Sequence, residues 1–203
     1  MPEIREPIKQ TSIEKKNKII DAGLKLFSEK GYYNTNTAEI AKVAGVSTGI
    51  VYQYFRDKKD ILIYAVKLYF EKIYEPIDKH LQNIKQVTDF DVRLKELINA
   101  TLKSHKDNSI AHEEMVAMSH LDPDIHDLFV ETEHKILDRI LVYLENIGIT
   151  GKDMHEKVHI AYNLIESLCH EYVYHKHSYI DYDFMIEETI KLIKFIFTEG
   201  SSN

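Results

Sequence analysis

Apolar positions along the chain fall mostly three and four residues apart, the spacing that lines one face of an α-helix. Ile19, Ile20, Leu24 and Phe27 form such a face behind a cap at Thr11 or Ser12, and Gly31 supplies the residue that ends the helix. Thr37 reads as the N-cap of a short second helix, with Glu39 in its first turn and Ile40, Ala41 and Ala44 facing inward. Gly45 can take the left-handed conformation of a tight turn, Val46 fills the space beneath it, and Ser47 caps a third helix whose Val51 and Phe55 face inward. Asp57 and Asp60 resemble the two ends of a capping box for a long fourth helix from about Lys58. That helix carries Ile61, Leu62, Ala65, Leu68, Tyr69 and Ile73, and Pro76 should kink or shorten it. Further helices are predicted at about 90–106, 110–119, 123–148 behind an Asp122 cap, 152–176 and 182–198. The chain is therefore predicted to be all-α, with about nine helices.

Composition supports a packed protein. Of 203 residues 44% are hydrophobic, enough for a sizeable core, and only 4 are Pro and 7 Gly. The single Cys169 cannot form an internal disulfide, no signal-peptide core opens the chain, and no apolar run approaches the roughly 18 residues that cross a bilayer. The expected location is cytoplasmic, with no membrane partner and no cofactor. The net charge of −7 is unevenly spread: residues 1–60 carry 11 Lys/Arg against 8 Asp/Glu, the remainder 15 against 25, and all 11 His lie from His80 onward. The basic end is the end with the two short helices. Three parts follow: a flexible tail over 1–11, a three-helix domain over 12–57, and a larger helical domain over 58–203.

The stretch Thr37–Phe55 has the order of a helix-turn-helix. The N-terminal residues of such a second helix reach base edges in the major groove while flanking residues grip phosphates. Gln53 suits bidentate contact with adenine, Thr48 serves either base type, Gly49 lets the backbone approach closely, and Ile50 suits a thymine methyl. The hydroxyls of Tyr52 and Tyr54 suit phosphate oxygens, as do Thr37 and Lys58 at helix N-termini, although Tyr54 could equally be packing.

From about Lys18 to Leu62 the chain resembles the TetR family of bacterial transcriptional regulators, through LKLFSEKGYYNTNTAEIAKVAGVSTGIVYQYFRDKKDIL. The resemblance implies phosphate contacts at Thr37, Tyr52, Tyr54 and Lys58 and base-facing positions at Thr48, Gly49 and Gln53. It implies a homodimer formed through the last two helices, which repressor-like releases a palindromic operator when a small molecule enters the larger domain. That last pair is apolar on more than one face, so Ala161, Ile165, Leu168 and Tyr172 with Ile186, Ile190, Ile193 and Phe197 are the expected dimer interface. Candidate pocket residues are Tyr69, Phe70, Ile73, Met115, Met118, His120, Phe129 and Tyr162. They suit a lipophilic or aromatic effector, a lipophilic cation included.

Two other classes compete. His155-Glu156-Lys157-Val158-His159 matches the zinc-hydrolase signature formally, but such a match is weak in a His- and Glu-rich chain and no third ligand is evident. The other is a helical protein-binding adaptor with a degenerate DNA end. An enzyme is not the expected reading, and no metal site is assigned.

Overall fold

The computed structural model describes residues 9–83, 90–107 and 109–198, with the backbone alone for residues 73 and 75–83. Most of the 1–11 tail lies outside them. The described residues form nine helices and no strand: α1 Gln10–Lys30, α2 Thr37–Ala44, α3 Thr48–Tyr54, α4 Lys58–Asn83, α5 Phe90–Asp107, α6 Ser109–Leu121, α7 Pro123–Asn146, α8 Met154–Tyr174 and α9 Tyr182–Thr198. The helix limits read from apolar spacing agree to within a few residues. Two details differ. The first helix begins at Gln10, ahead of Thr11 and Ser12. Pro76 does not end α4, which continues to Asn83.

The chain divides into two compact units, one holding the residues up to Lys72 together with Ile110–Val130, the other holding Ile73–Ser109 and Glu131 onward. The first unit is thus larger than the segment 12–57, because α6 and the start of α7 pack with it. Its core gathers Ile19, Phe27, Ile40, Val51, Phe55, Ile61 and Leu62, each fully buried. Gly23 sits where α1 meets α4; a Cβ there would stand 2.6 Å from Ile61 Cγ2, so the helices pack this closely only because residue 23 has no side chain. Lys59 ties α4 to the turn before α7, with Nζ 2.9 Å from Asp122 and 2.6 Å from Asp124. Asp122 in turn caps α7, accepting from Asp124 N at 3.0 Å.

The second unit packs α5, α8 and α9 around Ile98, Leu168, Cys169 and Ile193 with Leu144 of α7. Buried within a single chain are Ala161, Leu168, Ile186, Ile190, Ile193 and Phe197, and Tyr172 packs edge-on against Tyr182. These inner-face residues, expected between two subunits, complete the chain's own core. The surplus apolar surface lies on other faces, at Ile160 of α8 and at Phe184, Leu192 and Phe195 of α9, each half or more exposed.

Candidate nucleic-acid interface and the cavity of the second unit

The two short helices owe their placement to local chemistry. Asn36, not Thr37, caps α2: its Oδ1 accepts from Glu39 N at 3.0 Å while Glu39 Oε2 accepts from Asn36 N at 3.3 Å. The Lys30 ammonium, 2.9 Å from Glu39 Oε1, together with the Asn36 amide holds the Glu39 carboxyl below its usual range. With the cap one residue earlier than expected, the Thr37 hydroxyl has no capping work and lies 3.0 Å from Tyr52 Oη. Gly45 adopts the left-handed conformation, φ 68° and ψ 33°, and Val46 N closes back onto Ala41 O at 3.0 Å. Ser47 caps α3 by accepting from Ile50 N at 3.3 Å. Asp57 Oδ1 receives Asp60 N at 2.9 Å, while Asp60 reaches back one residue further than a capping box requires, to Arg56 N.

This geometry turns Thr48, Gly49, Tyr52 and Gln53 of α3 to the exterior, leaves Ile50 partly covered, and buries Val51 and Phe55. Tyr54 is only 8% exposed, so its ring belongs to the core of the first unit. Lys58 is occupied differently from a bare phosphate ligand. Its Nζ donates to Tyr32 O at 2.7 Å and Thr35 O at 2.9 Å and lies 4.1 Å from the Tyr32 ring centre. Burial there lowers its pKa. Glu114 of α6 grips the same loop residue from the other side, accepting from Tyr32 N at 2.6 Å. Tyr33, 70% exposed and edge-on to Tyr32, completes the surface just before α2. It was not singled out from the sequence, where the visible signal was an aromatic pair between two helices.

The expected pocket residues divide. Tyr69, Phe70, Met115 and Met118 are buried in the first unit, where Phe129 packs edge-on to Phe70 at 4.7 Å and Tyr69 Oη hydrogen-bonds His112 Nδ1. His120 is exposed, and the Ile73 side chain lies outside the described residues. Tyr162 lines a cavity in the second unit. That cavity, about 80 Å³, runs among α5, α7, α8 and α9, with Tyr74 of α4. Ala161, Ile165, Ile193 and Phe197 form part of its wall.

The polar groups of this wall are few. Tyr74 Oη and Tyr162 Oη lie 3.4 Å apart, and burial, then the Glu166 charge, raises the pKa of both. His105 Nε2 lies 3.2 Å from Glu166 Oε2, and His105 Nδ1 donates to Thr101 O at 3.0 Å. Burial opposes protonation of His105, but Glu166 and the Thr101 carbonyl outweigh it and raise the pKa. Arg93 donates to Glu96 at 2.8 Å. The Tyr143 hydroxyl is buried with no hydrogen-bond partner among the described residues, and burial, opposed by Arg93, pushes its pKa up to about 12. Neither Arg93 nor Tyr143 stood out in the sequence, since a lone Arg and a lone Tyr on amphipathic helices carry no spacing signal.

The His155–His159 segment opens α8. His155 is exposed, His159 Nδ1 lies 3.3 Å from Glu133, and no third ligand assembles with the two histidines among the described residues. Among the described residues no helix is long and apolar enough to cross a membrane.

Comparison with known proteins bears on the first unit most directly. Residues 19–65 match the family model for bacterial regulatory proteins of the TetR family. The HTH-type transcriptional regulator HbdR of Aromatoleum sp. strain CIB is 44% identical over 71 residues, 35% of this chain and 31% of the relative. The fatty acid metabolism regulator protein of Bacillus subtilis strain 168 is 41% identical over 68 residues, 34% of each chain. The chain thus spans about a third of the length of the curated relatives it matches. A TetR-family transcriptional regulator from Mesorhizobium loti MAFF303099 shares the fold with a TM-score of 0.76 at 18% identity, over 91% of this chain and 97% of that one. Residues 19–65 thus carry the DNA-binding segment of the family described as bacterial regulatory proteins, tetR family, and the chain shares its fold with TetR-family structures.

Proposed function

We propose that the chain is a DNA-binding transcriptional regulator that acts as a homodimer on a palindromic operator and is released from it, as a repressor, by a small molecule bound in the second unit. The observation that carries this reading is the exposed row Thr48, Gly49, Tyr52 and Gln53 on α3, with the Thr37–Tyr52 hydroxyl pair beside it at the start of α2. Gln53 reads an adenine edge and Thr48 a neighbouring base, while Thr37 and Tyr52 together present two hydroxyls suited to one phosphate. Gly49 supports the same assignment from the cost side. A Cβ there would meet only Ser47 Oγ at 3.8 Å, so the fold itself does not ask for a glycine, whereas a duplex laid against α3 would. Lys58 serves mainly by holding the loop before α2, and through it the phosphate-facing hydroxyls. Tyr54 serves by packing.

Two copies would set their α3 helices about 34–36 Å apart or somewhat wider, matching successive major grooves. Support for pairing comes from the exposed Phe184, Leu192 and Phe195 on α9 with Ile160 on α8. A ligand acts by its difference in affinity for two separations of the DNA-binding units. The test is selection of bound sites from random duplex DNA with the full chain. Enrichment of a two-fold symmetric site is expected; no enrichment over input at low salt refutes the DNA-binding reading, and a monomer by sedimentation at micromolar concentration refutes the dimer.

A further inference from the structure

The cavity of the second unit has a chemistry that narrows its ligand. Eleven of its seventeen lining residues carry only hydrocarbon side chains. Phe90, Leu94, Leu97 and Thr101 of α5 all face it, and eleven residues of helix rise about 16 Å. The space is long in that direction yet only about 80 Å³ in volume. A narrow, extended, apolar slot suits an unbranched chain better than a fused ring system.

The two ends differ. At the Thr101 end each polar group already has a partner: Glu166 faces His105 at 3.2 Å, Tyr74 faces Tyr162 at 3.4 Å, and Thr101 Oγ1 donates to Leu97 O at 2.9 Å. A ligand cation there would have to compete with His105 for the carboxylate. Toward the Phe90 end, the Tyr143 hydroxyl is buried without a partner among the described residues, and the Arg93 guanidinium, which lines the same cavity and whose charge reaches Tyr143, has five N–H donors and is seen to give one to Glu96. A buried hydroxyl left unpaired is costly, and natural proteins rarely keep one without use. A phenol and a guanidinium together ask for an acceptor oxygen.

We propose that this cavity binds a straight acyl chain, its carbonyl or carboxylate oxygen accepting from Tyr143 Oη with Arg93 alongside and its tail running along α5 toward Thr101. The inference rests on the regulator reading for its biological use, not for its binding. The full chain without DNA is titrated by calorimetry with dodecanoate, with dodecanoyl-coenzyme A and, as the competing class, with dodecyltrimethylammonium. One acid or thioester per chain is expected, and which of the two binds tells whether the free acid or the thioester is the source. Tyr143→Phe should weaken that binding by about tenfold, as loss of one buried hydrogen bond does, while the unliganded variant melts at the same or a higher temperature because a buried hydroxyl with no partner among the described residues has gone. Failure of both acyl probes, tighter binding of the cation, unchanged affinity in Tyr143→Phe, or a lower melting temperature of that variant each overturns the proposal. DNA release is measured separately: acyl binding that leaves DNA affinity unchanged removes the effector reading and leaves this one standing, whereas DNA binding without acyl binding does the reverse.

Discussion

Replacing Gly49 by Ala should move stability and DNA affinity in opposite directions. Glycine within a helix costs roughly 0.5–1 kcal/mol relative to alanine, because it loses more backbone freedom on folding. At residue 49 the added methyl finds open space, with Ser47 Oγ at an ordinary 3.8 Å, and the backbone is not left-handed. The fold should therefore gain up to about 1 kcal/mol, and less in proportion as the first turn of α3 counts for less than a helix interior. In a protein of this length 1 kcal/mol corresponds to about 2–4 °C in melting temperature. In the docking proposed above the same methyl would stand where the α3 backbone comes nearest the duplex, and an affinity loss of about 1–3 kcal/mol is expected on selected DNA, the scale of one spoiled base contact. Circular dichroism melting and fluorescence anisotropy against the selected site measure the two quantities. The slope of affinity against salt should not change, since no charge is removed. A rise in melting temperature with unchanged DNA affinity refutes the placement of Gly49 at the duplex; a fall in melting temperature refutes the open space around it.

Other residues divide the labour in ways that separate on measurement. Gln53→Ala should cost about 1–3 kcal/mol on the selected site and relax its sequence preference, whereas Tyr52→Phe should weaken all sites alike by about 0.5–1.5 kcal/mol; anisotropy titrations on matched and scrambled duplexes check both. Lys58→Met deletes a charged donor to the Tyr32 and Thr35 carbonyls, so the urea midpoint should fall with a loss of about 1.5–3 kcal/mol; an unchanged midpoint would return Lys58 to a purely phosphate-facing role. His105 has a folded pKa above its ordinary value, so it binds its proton more tightly in the folded state; the stability it contributes is fully present below about 6.5 and is lost as pH rises through the folded value. Glu166→Gln should flatten that slope in melts taken across neutral pH. Leu192→Glu with Phe195→Glu should give a folded monomer by sedimentation that has lost most operator affinity.

What could be read in advance was whatever local chemistry decides. Gly45, Ser47, Val51 and Phe55 follow from turn geometry, capping and helical spacing within twenty residues of chain, and each lies where the pattern put it. Asn36 and Thr37 are both good caps, and the choice between them depends on which one Glu39 can reach back to, a matter of one peptide's rotation. Lys58 could not be assigned from sequence, because its carbonyl partners lie 26 and 23 residues earlier in a loop whose path no periodicity describes. The cavity was harder still. Tyr69, Phe70, Met115 and Met118 have the aromatic and flexible character of a pocket wall but fill a core, while Tyr143 and Arg93 are ordinary surface-helix residues until neighbouring helices cover them.

Helix α9 shows why counting apolar residues was not enough. Ile186, Ile190, Ile193 and Phe197 recur every three or four residues, while Phe184, Leu192 and Phe195, eight and three residues apart, share another face; hydrophobicity alone gives no reason to send either set inward. The difference lies in what accompanies them. No charged side chain interrupts the first set, as befits positions closed off from water when the chain folds. The second is interleaved with Glu188 and Lys191, paired at 2.7 Å and accessible to solvent. A face of mixed composition can stay wet on a folded monomer and still bury aromatic and aliphatic anchors against a second copy, which is the composition expected of an interface assembled from finished subunits and not of a core. On that ground the pairing proposed above would use the Phe184–Phe195 face, and substitutions at Ile190 or Ile193 should unfold the second unit before they report anything about association.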